Sequence, residues 1–158
     1  MSDNIKKSIW IIGTGNVSYD YVKVLKNLNC DISAIGLSRE SCDSFYEETG
    51  VKTYIGGLSN FLKKNTDKVD YAIVATNEHK LFEISCSLIK YGIKNILIEK
   101  PASLTMKDLN KLIKLKNEYD MNVVIGYNRR FYKSVKECKR RIMKNNSPIN
   151  FKFDFTEW

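Results

Sequence analysis

A glycine-rich turn near the N-terminus has the spacing of a phosphate-binding motif. Residues 13–18 read G-T-G-N-V-S and directly follow the apolar run Ser8–Ile12. In such a turn the first glycine permits the bend, the second lets the backbone approach a diphosphate, and the small third residue lets the following helix pack on the strand. Ser18 stands where glycine or alanine is usual, and a tight turn without a ligand is the alternative. The residues predicted to meet a dinucleotide are Gly13, Gly15, Asn16 and Val17.

The end of the second predicted strand, about 20 residues further on, should hold the residue that recognises the adenosine ribose. The sequence there is G-L-S-R at residues 36–39, with no Asp or Glu to accept a hydrogen bond from a free 2′-hydroxyl. The hydroxyl of Ser38 and the guanidinium of Arg39 suit a 2′-phosphate instead, so we predict NADP as the cofactor. Two alternatives stay open, since Glu40 could bind the ribose of NAD and Ser38 could be only the N-cap of the next helix.

Two further groups of functional side chains follow predicted strands. Residues 75–79, A-T-N-E-H, follow one strand, and E-K-P at residues 99–101 follows the next. Open α/β sheets bind ligands outside the carboxyl ends of their strands, so we predict that both segments face the dinucleotide. An ordinary surface lysine and a structural histidine are the alternatives for Lys100 and His79. The residues assigned to the cofactor site from these segments are Ala75, Thr76, Asn77, His79, Glu99 and Lys100.

The elements that must position these residues alternate between strands and helices. Short runs rich in Ile and Val predict strands, and apolar residues at helical spacing predict helices between them. This alternation gives right-handed βαβ units and a doubly wound parallel α/β sheet, a Rossmann fold, with the strand order 3-2-1-4-5-6. The predicted strands are 8–12, 32–37, 53–55, 71–75, 95–98 and 122–125. The predicted helices are 17–28, 40–49, 58–63, 79–91, 106–119 and 132–143.

Three details of these helices follow from single residues. Gly92 is expected to end the fourth helix in a left-handed conformation, because glycine adopts positive φ without steric cost. Thr105 is expected to cap the start of the fifth helix with its side-chain oxygen. The first helix is expected to turn one apolar stripe towards the sheet. The members of that stripe are Val17, Tyr21, Val24, Leu25 and Leu28.

The C-terminal segment departs from the alternating pattern. N-S-P at residues 146–148 signals a turn, and residues 149–158 then alternate apolar and polar side chains, as a strand with one buried face does. A single strand cannot bury its apolar face alone. We therefore predict a dinucleotide-binding domain over residues 1–126, followed over residues 127–158 by a connecting helix and the first strand, Ile149–Trp158, of a truncated second domain. The alternative is a homo-oligomer in which this strand pairs with another copy of the chain.

Composition and charge narrow the class of protein. Of the 158 residues 43% are hydrophobic and 28% charged, as in globular proteins. Neither a long apolar run nor a signal-peptide pattern occurs, so we expect a cytoplasmic protein with no membrane contact. The four scattered cysteines favour neither a metal site nor a disulfide framework. The net charge is +8, but no nucleic-acid motif accompanies the basic residues, so we predict no nucleic-acid partner.

Together the motifs resemble those of the Gfo/Idh/MocA family, the glucose-fructose oxidoreductase and inositol dehydrogenase group. The resemblance rests on the glycine turn, on residues 38–39, 75–77 and 99–101, and on G-Y-N-R-R-F at residues 126–131. It implies an NAD(P)-dependent oxidoreductase in which Lys100 is the catalytic residue, beside the nicotinamide and the reacting carbon of a sugar-like substrate. An ammonium there can polarise a hydroxyl or carbonyl, or move its proton during hydride transfer.

The resemblance also implies roles for the neighbours of Lys100. Glu99 would pair with Lys100 or orient it, and Pro101 would hold its backbone, a cis bond being one means. His79 would line the nicotinamide ribose without acting as the general base. Asn128 and Arg129 would lie on the substrate side of the cleft, with a capping Asn and a solvated Arg as the alternatives.

The chain also departs from the family pattern. Members carry a second domain that supplies much of the substrate pocket, which implies that Ile149–Trp158 begins a truncated α+β substrate domain. That domain usually holds an Asp/His pair used in proton transfer, but no Asp-x-x-x-His occurs here, so we expect nucleotide binding without efficient turnover. Residues 128–132 and the terminal F-T-E-W look most like members from surface-polysaccharide gene clusters, which implies a sugar or nucleotide-sugar substrate. The alternative is a non-catalytic module that binds nucleotide or pairs through its last strand.

Overall fold

A computed structural model describes residues 6–144, 150 and 152 of the chain. The chain divides into two compact units, residues 1–126 and residues 127–158. The predicted strand Ile149–Trp158 lies outside the described residues, apart from Asn150 and Lys152. No helix in the described part of the chain combines the length and the apolar character that crossing a membrane requires.

The described part of the first unit is built on a six-stranded sheet in which every neighbouring pair is parallel. Its order, β3-β2-β1-β4-β5-β6, confirms the doubly wound Rossmann arrangement predicted from the sequence. The chain starts in the middle of the sheet and builds outward in both directions, so the carboxyl ends of β1 and β4 lie side by side. The strands are β1 Ser8–Ile12, β2 Asp31–Ile35, β3 Lys52–Tyr54, β4 Tyr71–Val74, β5 Asn95–Ile98 and β6 Asn122–Ile125.

Helices connect these strands and supply two apolar layers. Alternate residues of β1 belong to different core clusters, Trp10 and Ile12 to one and Ile9 and Ile11 to the other. Successive side chains of a strand point to opposite faces, so the sheet is buried on both sides. The helices of the first unit are α1 Asn16–Asn27, α2 Arg39–Thr49, α3 Gly57–Lys64, α4 Glu78–Tyr91 and α5 Met106–Glu118.

The buried face of α1 differs from the predicted stripe. Ser18, Val22 and Leu25 are buried, whereas Val17, Val24 and Leu28 are 48%, 56% and 66% exposed. The prediction of the stripe was therefore wrong, apart from Leu25 and the half-buried Tyr21. The helix starts at the glycine turn, and its small third motif residue must approach the sheet, so the inward face runs through positions 18, 22 and 25.

The two predicted caps are confirmed. Gly92 ends α4 in the left-handed conformation with φ 93°, and its N–H donates to the carbonyl oxygens of Leu88 and Ile89. Thr105 caps α5 by accepting a hydrogen bond from the N–H of Asp108. The second unit contains a 3₁₀ helix, Asn128–Phe131, and a helix α6, Lys133–Lys144, which have no buried residue.

Candidate dinucleotide-binding site

The turn after β1 accepts only glycine at its first position. Gly13 has φ +115°, and a Cβ added there would lie 2.3 Å from the carbonyl oxygen of Ala75, at the end of β4. Its N–H donates to the carbonyl oxygen of Ile35, at the end of β2, over 2.9 Å. The turn is thus held between the two neighbouring strands, with no space for a side chain.

Gly15 occupies a different environment two residues later. It is the N-cap of α1 in an extended conformation, φ −88° and ψ 178°, which any residue can adopt. A Cβ added at Gly15 would meet no atom within 4 Å, so its missing side chain leaves open space. A ligand can therefore come against the backbone at this point.

The start of α1 also lacks the side-chain cap that most other helices of the first unit carry. Ser38, Asn77 and Thr105 each accept a backbone N–H at the start of α2, α4 and α5. Gly15 makes no such bond, and the first turn of α1 contains no acidic residue. The unsatisfied N–H groups and the positive end of the helix dipole therefore suit an anion, and the open face at Gly15 suits a diphosphate.

A cavity of about 620 Å³ extends from this turn across the carboxyl edge of the sheet, within the range typical of cofactor sites. Seven of the predicted cofactor residues line it. They are Gly13, Gly15, Asn16, Val17, Ala75, Thr76 and Asn77. Five others are absent from the described lining: Ser38, Arg39, His79, Glu99 and Lys100.

The cavity also involves residues that sequence reasoning missed. Gly36 and Leu37 follow β2, and Gly56 and Gly57 follow β3, so the strand-end rule could have found them. One face of α4 lines the cavity as well, and nothing in its sequence pattern distinguishes it from a solvated face. The residues on that face are Lys80, Glu83, Ile84 and Ser87.

Hydroxyl groups link the glycine turn to the segment after β2. Thr14 Oγ1 donates to Ser41 Oγ over 3.1 Å, and Ser41 Oγ lies 2.8 Å from Ser38 Oγ. Ser38 accepts the N–H of Ser41 and is the N-cap of α2, the role that sequence reasoning left open. Of these three residues Thr14 and Ser41 line the cavity and Ser38 does not, while the Arg39 side chain is exposed.

The segment after β5 is organised by side chains. The peptide bond between Lys100 and Pro101 is cis. Glu99 is half-buried, and each of its carboxylate oxygens accepts one hydrogen bond. The hydroxyl of Tyr21 donates to Oε1 over 2.5 Å, and the backbone N–H of Lys100 donates to Oε2 over 3.3 Å. Glu99 therefore contacts the backbone of Lys100, and within the described residues its ammonium, which is exposed, pairs with no carboxylate.

The remaining predicted site residues are exposed. The backbone N–H of His79 donates to Oδ1 of Asn77 over 3.1 Å, which places His79 in the first turn of α4. Asn128 and Arg129 belong to the 3₁₀ helix of the second unit. Among the described residues no group of three His, Cys, Asp or Glu side chains is arranged to hold a metal ion.

A parallel sheet of order 3-2-1-4-5-6, with a glycine turn and an uncapped helix after β1, defines the first unit as a dinucleotide-binding Rossmann domain. Comparison with known proteins then gives the family. The chain belongs to the GFO_IDH_MocA oxidoreductase family with an NAD-binding Rossmann fold, whose family model matches residues 7–127.

Individual relatives agree with this assignment. A myo-inositol 2-dehydrogenase of Thermotoga maritima is 30% identical over 137 residues, an alignment covering 85% of this chain and 40% of the relative. The chain therefore spans about 40% of the length of that curated relative.

Solved structures show the same fold. The WlbA dehydrogenase of Bordetella pertussis, in complex with NADH and UDP-GlcNAcA, matches with a TM-score of 0.76 at 17% identity, over 88% of this chain and 43% of the other. A myo-inositol 2-dehydrogenase of Lactobacillus plantarum matches with a TM-score of 0.76 at 16% identity, over 88% and 41%.

Proposed function

We propose that this chain is the cofactor-binding part of an oxidoreductase that moves a hydride between NAD(P) and a sugar or nucleotide-sugar-like substrate. The observation that carries the proposal is the start of α1, where an uncapped helix meets the open face of Gly15. The substrate class is supported by the relatives, one named for myo-inositol and another solved with UDP-GlcNAcA.

The backbone after β1 would hold the cofactor through its diphosphate. The N–H groups at the start of α1, around Gly15, Asn16 and Val17, are the donors available for it. Ala75, Thr76 and Asn77 would form the opposite wall of the cleft, since they line the same cavity. When bound, the nicotinamide ring supplies the hydride chemistry, and the protein supplies binding, orientation and charge.

Lys100 is our candidate for the proton-transfer residue. Its ammonium is exposed at the end of β5, where a ligand on the carboxyl edge of the sheet would meet it. From there Nζ can donate a hydrogen bond to a substrate oxygen and exchange a proton with it as a hydroxyl and a carbonyl interconvert. We further propose that His79 lies near the nicotinamide ribose and that Asn128 and Arg129 bind the substrate.

We propose NADP as the preferred cofactor. The segment after β2 has no acidic residue before Glu40, so no carboxylate at the strand end would repel a 2′-phosphate. Arg39 and the hydroxyls of Ser38 and Ser41 offer donors there, and the N-terminus of α2 favours an anion. Glu40, in the first turn of α2, is the residue that would instead favour NAD.

Titration of the chain with NADPH and NADH, followed by calorimetry, tests both levels of the proposal. We expect saturable binding of both nucleotides, with a lower Kd for NADPH. Failure of both to bind at millimolar concentration would reject the dinucleotide function. Equal affinities, or tighter binding of NADH, would reject only the preference for NADP.

A further inference from the structure

A hydrogen bond joins the phosphate-binding helix to the segment that carries Lys100. Tyr21 lies in the second turn of α1, and its hydroxyl donates to Oε1 of Glu99 over 2.5 Å, across 78 positions of sequence. The Tyr21 side chain is half-buried. The same helix that offers its N-terminus to the diphosphate thus also holds the carboxylate next to Lys100.

The surroundings of Glu99 restrict the rotation of its carboxylate. Oε2 accepts the backbone N–H of Lys100 over 3.3 Å, while Oε1 accepts the Tyr21 hydroxyl. Gly126, after β6, provides the space beneath it, since a Cβ added there would lie 3.2 Å from Oε1. The carboxylate is therefore held by one hydrogen-bond donor on each oxygen and by close packing against the backbone of Gly126.

The direction of this carboxylate matters because an ammonium is its neighbour in sequence. A carboxylate free to turn would be attracted to the exposed Lys100 ammonium, since opposite charges stabilise each other as they approach. Such a pair would draw the ammonium away from a substrate oxygen. In the structure both Glu99 oxygens are instead occupied by neutral donors.

Tyr21 is suited to be a permanent donor. Burial, and then the hydrogen bond and charge of Glu99, raise the pKa of the Tyr21 hydroxyl above its ordinary value. Its proton therefore stays on the phenol oxygen throughout the neutral range.

We propose that Tyr21 is a positioning residue, whose hydroxyl holds Glu99 on the backbone of Lys100 and so leaves the Lys100 ammonium free for the substrate. The inference rests on the proposed role of Lys100. Tyr21 acts through Glu99 and need not touch substrate or cofactor.

NMR spectroscopy of Tyr21→Phe tests the inference without any need for turnover. The backbone N–H signal of Lys100 reports its hydrogen bond to Glu99. After ¹³C-methylation of lysines, the Lys100 methyl signal, assigned with Lys100→Gln, reports the surroundings of the ammonium. We expect Tyr21→Phe to shift the Lys100 N–H signal upfield and to shift the Lys100 methyl signal, because Glu99 turns towards the ammonium. NADPH affinity should be unchanged, since the glycine turn is intact.

Two further variants make the result specific. Tyr19→Phe changes the same helix, and the Tyr19 ring packs on Phe45, so it should leave both Lys100 signals as they are. In a Glu99→Gln background, Tyr21→Phe should no longer shift the Lys100 methyl signal, since the charge that Tyr21 restrains is gone. Unchanged Lys100 signals in Tyr21→Phe, or equal changes in Tyr19→Phe, would overturn the positioning role. Failure of the unmodified chain to bind NADPH would reject the proposed function. The NMR comparison of Tyr21→Phe and Tyr19→Phe does not depend on NADPH and would still test whether Tyr21 positions Glu99.

Discussion

Two turns at the carboxyl edge of the sheet, one after β1 and one after β5, are built in opposite ways. The turn after β1 is made of backbone: Gly13 fits because it has no side chain, and Gly15 leaves a face open for the same reason. The turn after β5 is made of side chains, with Glu99 held by Tyr21 from another element. A backbone site can be recognised from spacing alone, whereas a side-chain site depends on partners distant in sequence.

The largest expected effect comes from the two glycines of the first turn. Gly13→Ala should lower the free energy of unfolding by about 3 kcal/mol or more, because the added Cβ meets the Ala75 carbonyl and φ is positive. Gly15→Ala should leave the free energy of unfolding nearly unchanged and weaken NADPH binding by about tenfold or more, because its Cβ fills the open face. Urea denaturation and calorimetric titration measure the two effects.

Gly50 provides the matched control for this pair. It also has positive φ, +65°, but an added Cβ would meet no atom within 4 Å. Gly50→Ala should therefore cost only the conformational penalty of about 1 kcal/mol, and it should not affect NADPH binding. If Gly13→Ala cost no more than Gly50→Ala, the turn after β1 would not be the tightly packed backbone structure described above.

The segment after β2 would bind the cofactor through both the N-terminus of α2 and the side chain of Arg39. A substitution there is expected to have an intermediate effect on cofactor affinity. Arg39→Ala should weaken NADPH binding by about tenfold, as expected for the loss of one charge-assisted contact to a phosphate, and leave NADH binding unchanged. Calorimetric titration with each nucleotide measures the ratio. Lys23→Ala, which removes another exposed cation from α1, is the control for general charge. Equal losses for the two nucleotides would contradict the phosphate role of Arg39.

Substitution of Ser18 tests whether a side chain stabilises the turn after β1, which is otherwise made of backbone. Its Oγ is buried and has no hydrogen-bond partner among the described residues. Ser18→Ala should raise the free energy of unfolding by up to about 1 kcal/mol, because an unsatisfied buried hydroxyl is removed. The control is Ser85→Ala, also in a helix and fully buried, whose Oγ donates to the Leu81 carbonyl oxygen over 2.6 Å. That variant should be destabilised, and urea denaturation of both gives the contrast. Destabilisation by Ser18→Ala would show that the Ser18 hydroxyl has a partner.

The opposite edge of the sheet offers a side-chain network with no expected role in binding. Asp70 accepts the N–H of Ser8 over 2.9 Å, its hydroxyl over 3.1 Å, and pairs with Lys7 over 3.3 Å. The hydrogen bond from the Ser8 backbone, followed by those from Lys7 and the Ser8 hydroxyl, lowers the pKa of the Asp70 carboxyl. Because the folded pKa is lowered, the stabilisation is present above the ordinary Asp pKa of about 3.9 and is lost as the pH falls through the folded value.

Asp70→Asn should therefore lower the Tm at pH 7 by a small amount and leave NADPH affinity unchanged. The difference in Tm from the unmodified chain should shrink as the pH falls below the folded pKa of Asp70. Thermal unfolding over a series of pH values measures both trends. A loss of NADPH affinity, or a Tm difference independent of pH, would contradict the purely structural role of Asp70 at this edge of the sheet.

The sequence predicted the parts that depend on local pattern and failed where tertiary contacts decide. The order of the strands, the glycine turn and the caps at Gly92 and Thr105 follow from periodicity and conformational preference. The inward face of α1 was predicted wrongly because Val17 and Val24 have helical apolar spacing, yet the close approach of Ser18 sets the rotation of the helix. Contacts across elements leave no such pattern in the sequence. The Tyr21 to Glu99 bond and the α4 wall of the cavity were missed for this reason.

Gly126 restricts how this unit can be recombined with other proteins. It is the last residue of the first compact unit, and a Cβ added to it would lie only 3.2 Å from Oε1 of Glu99. In a chimaera joined at this boundary, any bulkier residue in place of Gly126 would press on the Glu99 carboxylate, although Gly126 has no reactive group of its own. A graft of the unit should therefore keep the native glycine and place the junction after it.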